Sequence, residues 1–275
     1  MKVTLETEDY EGTLGPGQSQ IVPLVVEDGQ NFDTVTVRWF SREDFSSTTG
    51  AVDLPSITST QPLPEQTDTN WPSNRPSVLR TQLMQHGDSF RLTDFDIVNS
   101  SSESNANTLF LYPTQSAKGR TSGAFVGTDI RANDANDSPD KADTDNTPYP
   151  VRCSATVVSG GYACQLSLAL PTPIGGGDRT AFLRLTPLYN EARFQVVLSQ
   201  GTPLSGGSNI VKFKDVQPII DSTGRANDLF RRVQSRVNLY DTSFSYPDAT
   251  IEVTNNLCKD FAVTDSQYIA GSCTP

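Results

Sequence analysis

The sequence predicts an all-β protein with antiparallel, β-sandwich-like sheets in both halves of the chain and little helix. Short stretches of alternating apolar and polar residues recur along it, and this period of two is that of a half-buried strand. Glycine (19) and proline (18) are frequent, and together with Ser, Thr, Asn and Asp they supply turns between short strands. The first 130 residues contain no long stretch with helical spacing of apolar residues. Together these observations favour a sandwich.

The composition limits the class of protein. A chain of 275 residues can bury one large or two modest cores. Its net charge of −11 repels a phosphate backbone and argues against nucleic acid as a partner. No apolar run approaches the roughly 20 residues of a membrane-spanning helix, and the chain opens directly with a strand pattern over 1–6. We therefore expect the natural N-terminus to lie upstream of Met1.

Strand patterns follow one another through the first half. Val35, Val37 and Trp39 share one side of a strand, and Trp39 is expected in the core rather than as an exposed platform for sugars. Pro23 marks an edge strand or a bulge, and Pro113 is expected to end the last strand of this half. A turn is expected at 13–18 and a long loop over 46–76. The predicted strands are 1–6, 21–26, 34–40, 78–84, 89–95 and 107–112.

An acidic segment, residues 133–146, is the sharpest change in composition. It lacks the turn glycine and the closing glutamate of an EF-hand, so we expect a solvated loop rather than a calcium site. The carboxylates considered as calcium ligands are Asp134, Asp137, Asp140, Asp143 and Asp145. We expect an N-terminal sandwich-like domain over 1–130, an acidic linker over 131–149 and a C-terminal disulfide-containing β domain over 150–275.

The second half opens with a predicted hairpin, in which strands 150–158 and 162–170 flank Ser159-Gly160-Gly161. A loop is expected over 171–178. A second strand pair, 180–185 and 192–198, is predicted around Tyr189-Asn190. Further strands are predicted over 210–216, 246–254 and 257–265.

Four cysteines form an even set without zinc-site spacing. Three pairings are possible, and we favour Cys153–Cys164 with Cys258–Cys273 because each pair is close in sequence. A tight turn at Gly160-Gly161 would place Cys153 opposite Leu168, so this bridge requires a register offset or a bulge. Two disulfides predict an oxidising, extracytoplasmic location, whereas four buried thiols would indicate a reducing one.

The segment 222–241 admits two interpretations. Val233, Val237 and Leu239 share one parity, which predicts a half-buried strand with arginines on its solvent face. Leu229, Val233 and Val237 also recur at helical spacing, but the β-branched residues favour the strand, with a short helical turn at 226–230.

A local cluster of positive charge accompanies this segment. Its arginines either pair with the protein's own acids or form a docking surface for an acidic neighbouring subunit or an anionic polymer. The cluster comprises Arg225, Arg231, Arg232 and Arg236, with Lys212 and Lys214 nearby.

Motifs of catalysis and cofactor binding are absent from the sequence. It contains no nucleophile elbow, zinc-protease motif, phosphate-binding loop or dinucleotide fingerprint. Its single histidine, His86, lies in a predicted turn. We expect neither an enzyme nor a cofactor.

Two stretches carry a family resemblance: Arg225-Ala-Asn-Asp-Leu-Phe-Arg-Arg-Val-Gln-Ser-Arg-Val237, and the region 249–265 around Asn255-Asn-Leu-Cys-Lys-Asp260. They resemble the C-terminal part of type IV pilin-like proteins, above all those of ultrasmall episymbiotic bacteria; the Cys153…Cys164 hairpin is similar too. The resemblance implies an extracellular structural or adhesive subunit of a pilus-like appendage. Its partners would be other pilin-like subunits or a host-cell surface polymer, with membrane contact only through an N-terminal helix absent from this sequence. The alternative is a secreted adhesin or carbohydrate-binding sandwich module.

Overall fold

A computed structural model describes residues 2–44, 51–55, 71–85, 108–115, 127–129, 149–157, 161–175, 181–204, 206–226 and 229–239. The chain divides into two compact units, Met1–Ser243 and Phe244–Pro275, and all the described residues belong to the first. Predictions that lie outside the described residues are the strands 89–95, 246–254 and 257–265, most of the 46–76 loop, the acidic segment with its five aspartates, His86, Cys258 and Cys273.

The described residues are almost entirely β, which confirms the predicted fold class. The strands are β1 Lys2–Thr7, β2 Asp9–Leu14, β3 Gln20–Pro23, β4 Asn31–Ser41, β5 Val78–Gln85, β6 Thr108–Thr114, β7 Gly127–Asp129, β8 Tyr149–Arg152, β9 Tyr162–Gly175, β10 Ala181–Leu188, β11 Ala192–Ser199, β12 Ile210–Val211, β13 Phe213–Ala226 and β14 Leu229–Arg236. A 3-10 turn, Arg42–Asp44, follows β4. Within these ranges no helix is long and apolar enough to cross a bilayer.

The strands form three sheets. The six-stranded sheet has the order β12-β11-β4-β9-β7, with β2 also paired to β11, and the five-stranded sheet has the order β3-β10-β5-β6-β8. A separate three-stranded sheet has the order β1-β13-β14. Neighbours are antiparallel in every described pair except β6–β8 and β7–β9.

The two larger sheets contribute side chains to one hydrophobic core. Val35, Val37 and Trp39 are fully buried in it, as the alternation in β4 predicts. The Trp39 indole donates its Nε1–H to the Ser77 carbonyl oxygen at 3.0 Å, so its polar atom is satisfied inside the core. Leu183 of the five-stranded sheet is equally buried in the same cluster.

Strands from both sides of the predicted domain boundary lie in the same sheets. β4 precedes residue 131 and pairs with β9, and β5 pairs with β10. The boundary predicted at 131–149 therefore does not separate the sheets, because pairing in a sandwich joins strands that are distant in sequence.

The two predicted hairpins of the second half are wrong in their pairing. β8 pairs with β6 in the five-stranded sheet, whereas β9 pairs with β4 in the six-stranded sheet. β10 and β11 likewise lie in different sheets. Tyr189, in a left-handed conformation (φ 76°), lies in the turn at which the chain passes from one sheet to the other. Alternation identified four strands here, although the predicted strand 150–158 ends at Arg152, and it carries no information about this change of sheet.

Prolines interrupt the strands less than expected. Pro23 ends β3, an edge strand, as predicted. Pro113 lies inside β6, beyond the last residue that pairs with β5, so its missing N–H removes no bond of that ladder. β9 likewise runs through the predicted 171–178 loop as far as Gly175. Its register against β4 shifts there, which leaves the prolines in a bulge.

β14 confirms the strand interpretation and corrects two details. Ala226 pairs with Leu229 at the end of the β13–β14 ladder, where a helical turn was expected. Val233 is 63% exposed and Leu239 is 56% exposed, so the predicted half-burial is wrong. β14 is the outer strand of a sheet that contributes few residues to the core, and its alternation therefore does not separate buried from solvent-facing sides.

Candidate functional site

A cleft of about 490 Å³ opens beside the polar face of the six-stranded sheet. Its walls come from β2, β4, β9, β11 and the 3-10 turn. These strands are adjacent in the sheet, so residues distant in sequence meet at one place. Most of its lining residues are polar or charged.

A row of polar side chains crosses four neighbouring strands at this face. Glu11 of β2 lies opposite Gln195 of β11, Gln195 lies opposite Arg38 of β4, and Arg38 lies opposite Gln165 of β9. Because neighbouring strands are about 4.8 Å apart, the row spans roughly 14 Å.

Hydrogen bonds fix this row. Arg38 donates from Nε to Gln165 Oε1 at 2.6 Å and from Nη1 to Gln195 Oε1 at 2.7 Å. Gln195 in turn donates from Nε2 to Asp9 Oδ2 at 2.6 Å. The guanidinium is thus held by two neutral amides, and one of these amides is oriented by a carboxylate.

Ser41 and Tyr162 join Arg38 and Gln165 in the cleft because two strands interrupt their alternation. In β4 both Trp39 and Phe40 are fully buried, and Phe40 has a φ of 65°. In β9 the two residues between Tyr162 and Gln165 are both buried. A strict period of two would place Ser41 and Tyr162 on the opposite face. The local distortion brings them to the same side as Arg38.

Asp44 fixes the 3-10 turn at the rim of the cleft. Its carboxylate accepts hydrogen bonds from the backbone N–H of Ser41 at 2.6 Å and from that of Arg193 at 3.1 Å. Burial raises the pKa of Asp44, and these hydrogen bonds oppose that rise. The Arg193 side chain pairs with Glu43 at 2.9 Å, and its Nε also lies 3.7 Å from Asp44 Oδ1, so the two rim acids share this cation.

Burial also perturbs two groups inside the cleft. It lowers the pKa of Arg38, against the attraction of Asp9. Burial raises the pKa of Tyr162 far above its ordinary value, and the carboxylates of Glu11 and Asp9 add to the rise. Tyr162 is therefore a neutral hydroxyl at every physiological pH. Arg38 makes no ion pair within the described ranges.

The structure does not unite the four predicted docking arginines in one surface. Arg232 forms an ion pair with Asp221, and the Arg225 guanidinium lies 5.2 Å from the centre of the Phe230 ring. Register places Arg231 on the opposite face of β14 from Arg232. Lys212 lies only at the limit of ion pairing, 4.0 Å from Glu6.

Arg236 is the fourth of these arginines, and it joins the three-stranded sheet to β2. It contacts Asp9 at 2.8 Å and Glu11 at 3.3 Å. For Arg232 and Arg236 the geometry thus agrees with the alternative of pairing with the protein's own acids. Binding of a partner by any of the four remains a prediction.

One of the two predicted disulfides lies in the described residues. Cys153 and Cys164 are bonded, with Cα atoms 4.4 Å apart, and they lie directly opposite each other. A tight hairpin would have placed Cys153 opposite Leu168, so the register is offset as the bridge requires. The two strands do not form a hairpin ladder, since β8 and β9 belong to different sheets. The bond links the two sheets beside the cleft, which Cys164 helps to line.

The cleft residues were not identified from the sequence. Arg38, Gln165 and Gln195 carry no motif, and their only signal is a polar position within an apolar alternation. Metal ligands do not explain the cleft, since the described part of the chain contains no group of three His, Cys, Asp or Glu side chains that could hold an ion.

Comparison with known proteins adds no relative. No protein-family model, curated protein or solved structure matches this chain.

Proposed function

We propose that this chain is an extracellular structural or adhesive subunit of a type IV pilus-like surface appendage. The observation that carries the proposal is the three-stranded sheet β1-β13-β14, whose outer strand exposes apolar side chains. The pilin-like stretch 225–237 forms much of that strand and the end of β13. Its partners would be neighbouring pilin-like subunits.

The exposed side chains suit a contact between subunits. Phe230 is 66% exposed, Val233 is 63% exposed, and Val3 and Leu5 of β1 are about half exposed. Among the described strands β14 pairs only with β13, so it is the edge strand of this sheet there. Apolar side chains beside an edge strand favour association by strand pairing.

The disulfide supports an oxidising, extracellular location, since such bonds persist outside the reducing cytosol. A secreted adhesin or carbohydrate-binding module is the second candidate, and the polar cleft favours it. The gene upstream of Met1 distinguishes the two. A leader followed by about 20 apolar residues indicates a pilin, whereas a simple cleavable signal indicates a secreted module.

A matched pair of substitutions tests the assembly role. Val233→Asp places a charge on the outer strand, and Leu204→Asp places the same charge at an equally exposed apolar side chain (59%) outside the sheets. In the native cells, wild type and Leu204→Asp should be recovered in the sheared appendage fraction, and Val233→Asp should be lost from it. Recovery of Val233→Asp at the wild-type level, or absence of the wild type from that fraction, would contradict the proposal.

A further inference from the structure

We propose that the cleft binds a saccharide unit that carries a carboxylate, with Arg38 as the group that recognises the charge. This inference rests on the adhesive part of the proposed function and names its ligand class. It depends on the meeting of Arg38, Tyr162 and Gln165 in one cleft.

Unused hydrogen-bond donors converge there. Within the described residues Arg38 donates from Nε and Nη1, and the N–H groups of Nη2 have no acceptor there. Gln165 uses its oxygen, and its amide N–H₂ has no acceptor among the same residues. Ser41 is not among these donors, because its Oγ accepts from the Glu43 N–H and its hydroxyl donates to the Asp44 carboxylate. The Tyr162 hydroxyl, which stays protonated, makes no hydrogen bond within the described ranges. Such an excess of donors favours an acceptor-rich, anionic ligand.

The charges of the cleft select the same ligand. Glu11 is paired with Arg236 and Glu43 is paired with Arg193, so both acids of the cleft have a cation. Arg38 is a half-buried cation that contacts only neutral amide oxygens. A charge removed from water without an ion pair is unfavourable. A ligand carboxylate that accepts hydrogen bonds from Nη2 would supply the missing ion pair. The planar guanidinium suits a carboxylate better than an ammonium would.

A hydroxylated ring suits the rest of the cleft. A volume of about 490 Å³ lies in the range of small-ligand sites, and it accommodates one or two sugar rings. The Gln165 amide and the Tyr162 hydroxyl can each donate to a ring hydroxyl or ring oxygen. A simple carboxylic acid would engage Arg38 and leave these other donors unused.

The test uses the full chain with three soluble probes at one ionic strength: digalacturonate, its neutral counterpart digalactose, and acetate. Isothermal titration calorimetry should show binding of digalacturonate that is at least about tenfold tighter than that of either other probe, since each lacks half of the expected contacts. Arg38→Gln should weaken digalacturonate binding at least about tenfold, and Tyr162→Phe should weaken it several-fold. Arg231→Gln, which removes the same charge from exposed β14, should leave binding unchanged.

Several results would overturn the inference. These are absence of digalacturonate binding up to about 10 mM, equal binding of acetate or digalactose, and an equal loss in Arg38→Gln and Arg231→Gln. Should Arg38→Gln fail to fold, Arg38→Lys retains the charge without the planar fork and is expected to lose most of the affinity. Val233→Asp should bind digalacturonate normally. A failure of the cleft is thereby distinguishable from a failure of the appendage proposal.

Discussion

Arg236→Met is expected to destabilise the protein, because Arg236 is the charged link between the three-stranded sheet and β2. Its guanidinium contacts the Asp9 carboxylate at 2.8 Å and the Glu11 carboxylate at 3.3 Å, and it donates to the Asp9 carbonyl oxygen at 3.2 Å. Methionine preserves much of the side-chain length and apolar stem and removes the charge. Both carboxylates would then lose their cation.

The magnitude follows from burial. A fully exposed ion pair contributes about 0–1 kcal/mol, whereas removing one partner of a buried pair costs about 3–5 kcal/mol. The Arg236 side chain is 27% exposed, so its environment lies between these limits. We expect a loss of about 1–2 kcal/mol in the free energy of unfolding. This corresponds to a Tm lower by about 2–8 °C for a chain of this size.

Arg232→Met is the matched control, on the same strand and face. Its ion pair with Asp221 is 68% exposed at the arginine, so its removal should shift the Tm little, and added salt should abolish that shift. Thermal unfolding followed by circular dichroism at low and high salt measures both variants. An Arg236→Met variant that melts at the wild-type temperature, or an Arg232→Met variant that melts below Arg236→Met, would contradict this role of Arg236.

Cys153→Ser, or reduction, should lower the unfolding free energy by roughly 3 kcal/mol, because the bond closes a short loop of sequence separation 11; urea titration with and without reductant measures it. Gly12→Ala should lower the free energy of unfolding by about 1–3 kcal/mol, since the new Cβ would lie 2.6 Å from a ring atom of Phe194. Gly224→Ala is the control, because its Cβ would meet no atom within 4 Å and should not destabilise the protein. The urea midpoints of the two variants measure the difference. Tyr162→Phe should resist alkali better than the wild type. The pKa of Tyr162 is raised in the folded protein, so above the ordinary value of 10.0 the unfolded chain releases this proton while the folded protein keeps it. The free energy of unfolding of the wild type therefore falls as the pH rises above 10.0 and is unaffected by Tyr162 below it. Urea midpoints on either side of pH 10 test the sign. Millimolar calcium should leave the Tm unchanged if the acidic segment is merely solvated, and a rise of several degrees would contradict this.

The fold class was predictable because alternation is a local property of each strand. β4, β10 and β11 all begin and end close to the predicted residues. Strand partners were not predictable in the same way. β10 and β11 are separated by only a short turn, yet they lie in different sheets, and nothing in their alternation indicates which sheet each strand joins.

The arginines of β14 illustrate a similar limit. Sequence indicated a strand and a local concentration of positive charge, and both are present. The partners of Arg236 lie on β2, 227 and 225 residues earlier, where Asp9 and Glu11 occupy alternate positions of one strand. Two acids at such spacing share a face, but only the tertiary structure assigns them to this arginine.

Two unusual features lie beside the cleft, the left-handed backbone of Phe40 and the half-buried guanidinium of Arg38. Phe40 has an unfavourable left-handed backbone, at a cost of about 1–2 kcal/mol. Its side chain is fully buried, which contributes about 1.5–3 kcal/mol and offsets that cost without any ligand. The strain at Phe40 is therefore explained by the core, although it also positions Ser41. Arg38 is compensated only in part within the described residues, because Asp9 attracts its half-buried charge while its guanidinium contacts amide oxygens and no carboxylate. The unpaired guanidinium, and not the strained backbone beside it, is the observation from which a ligand follows.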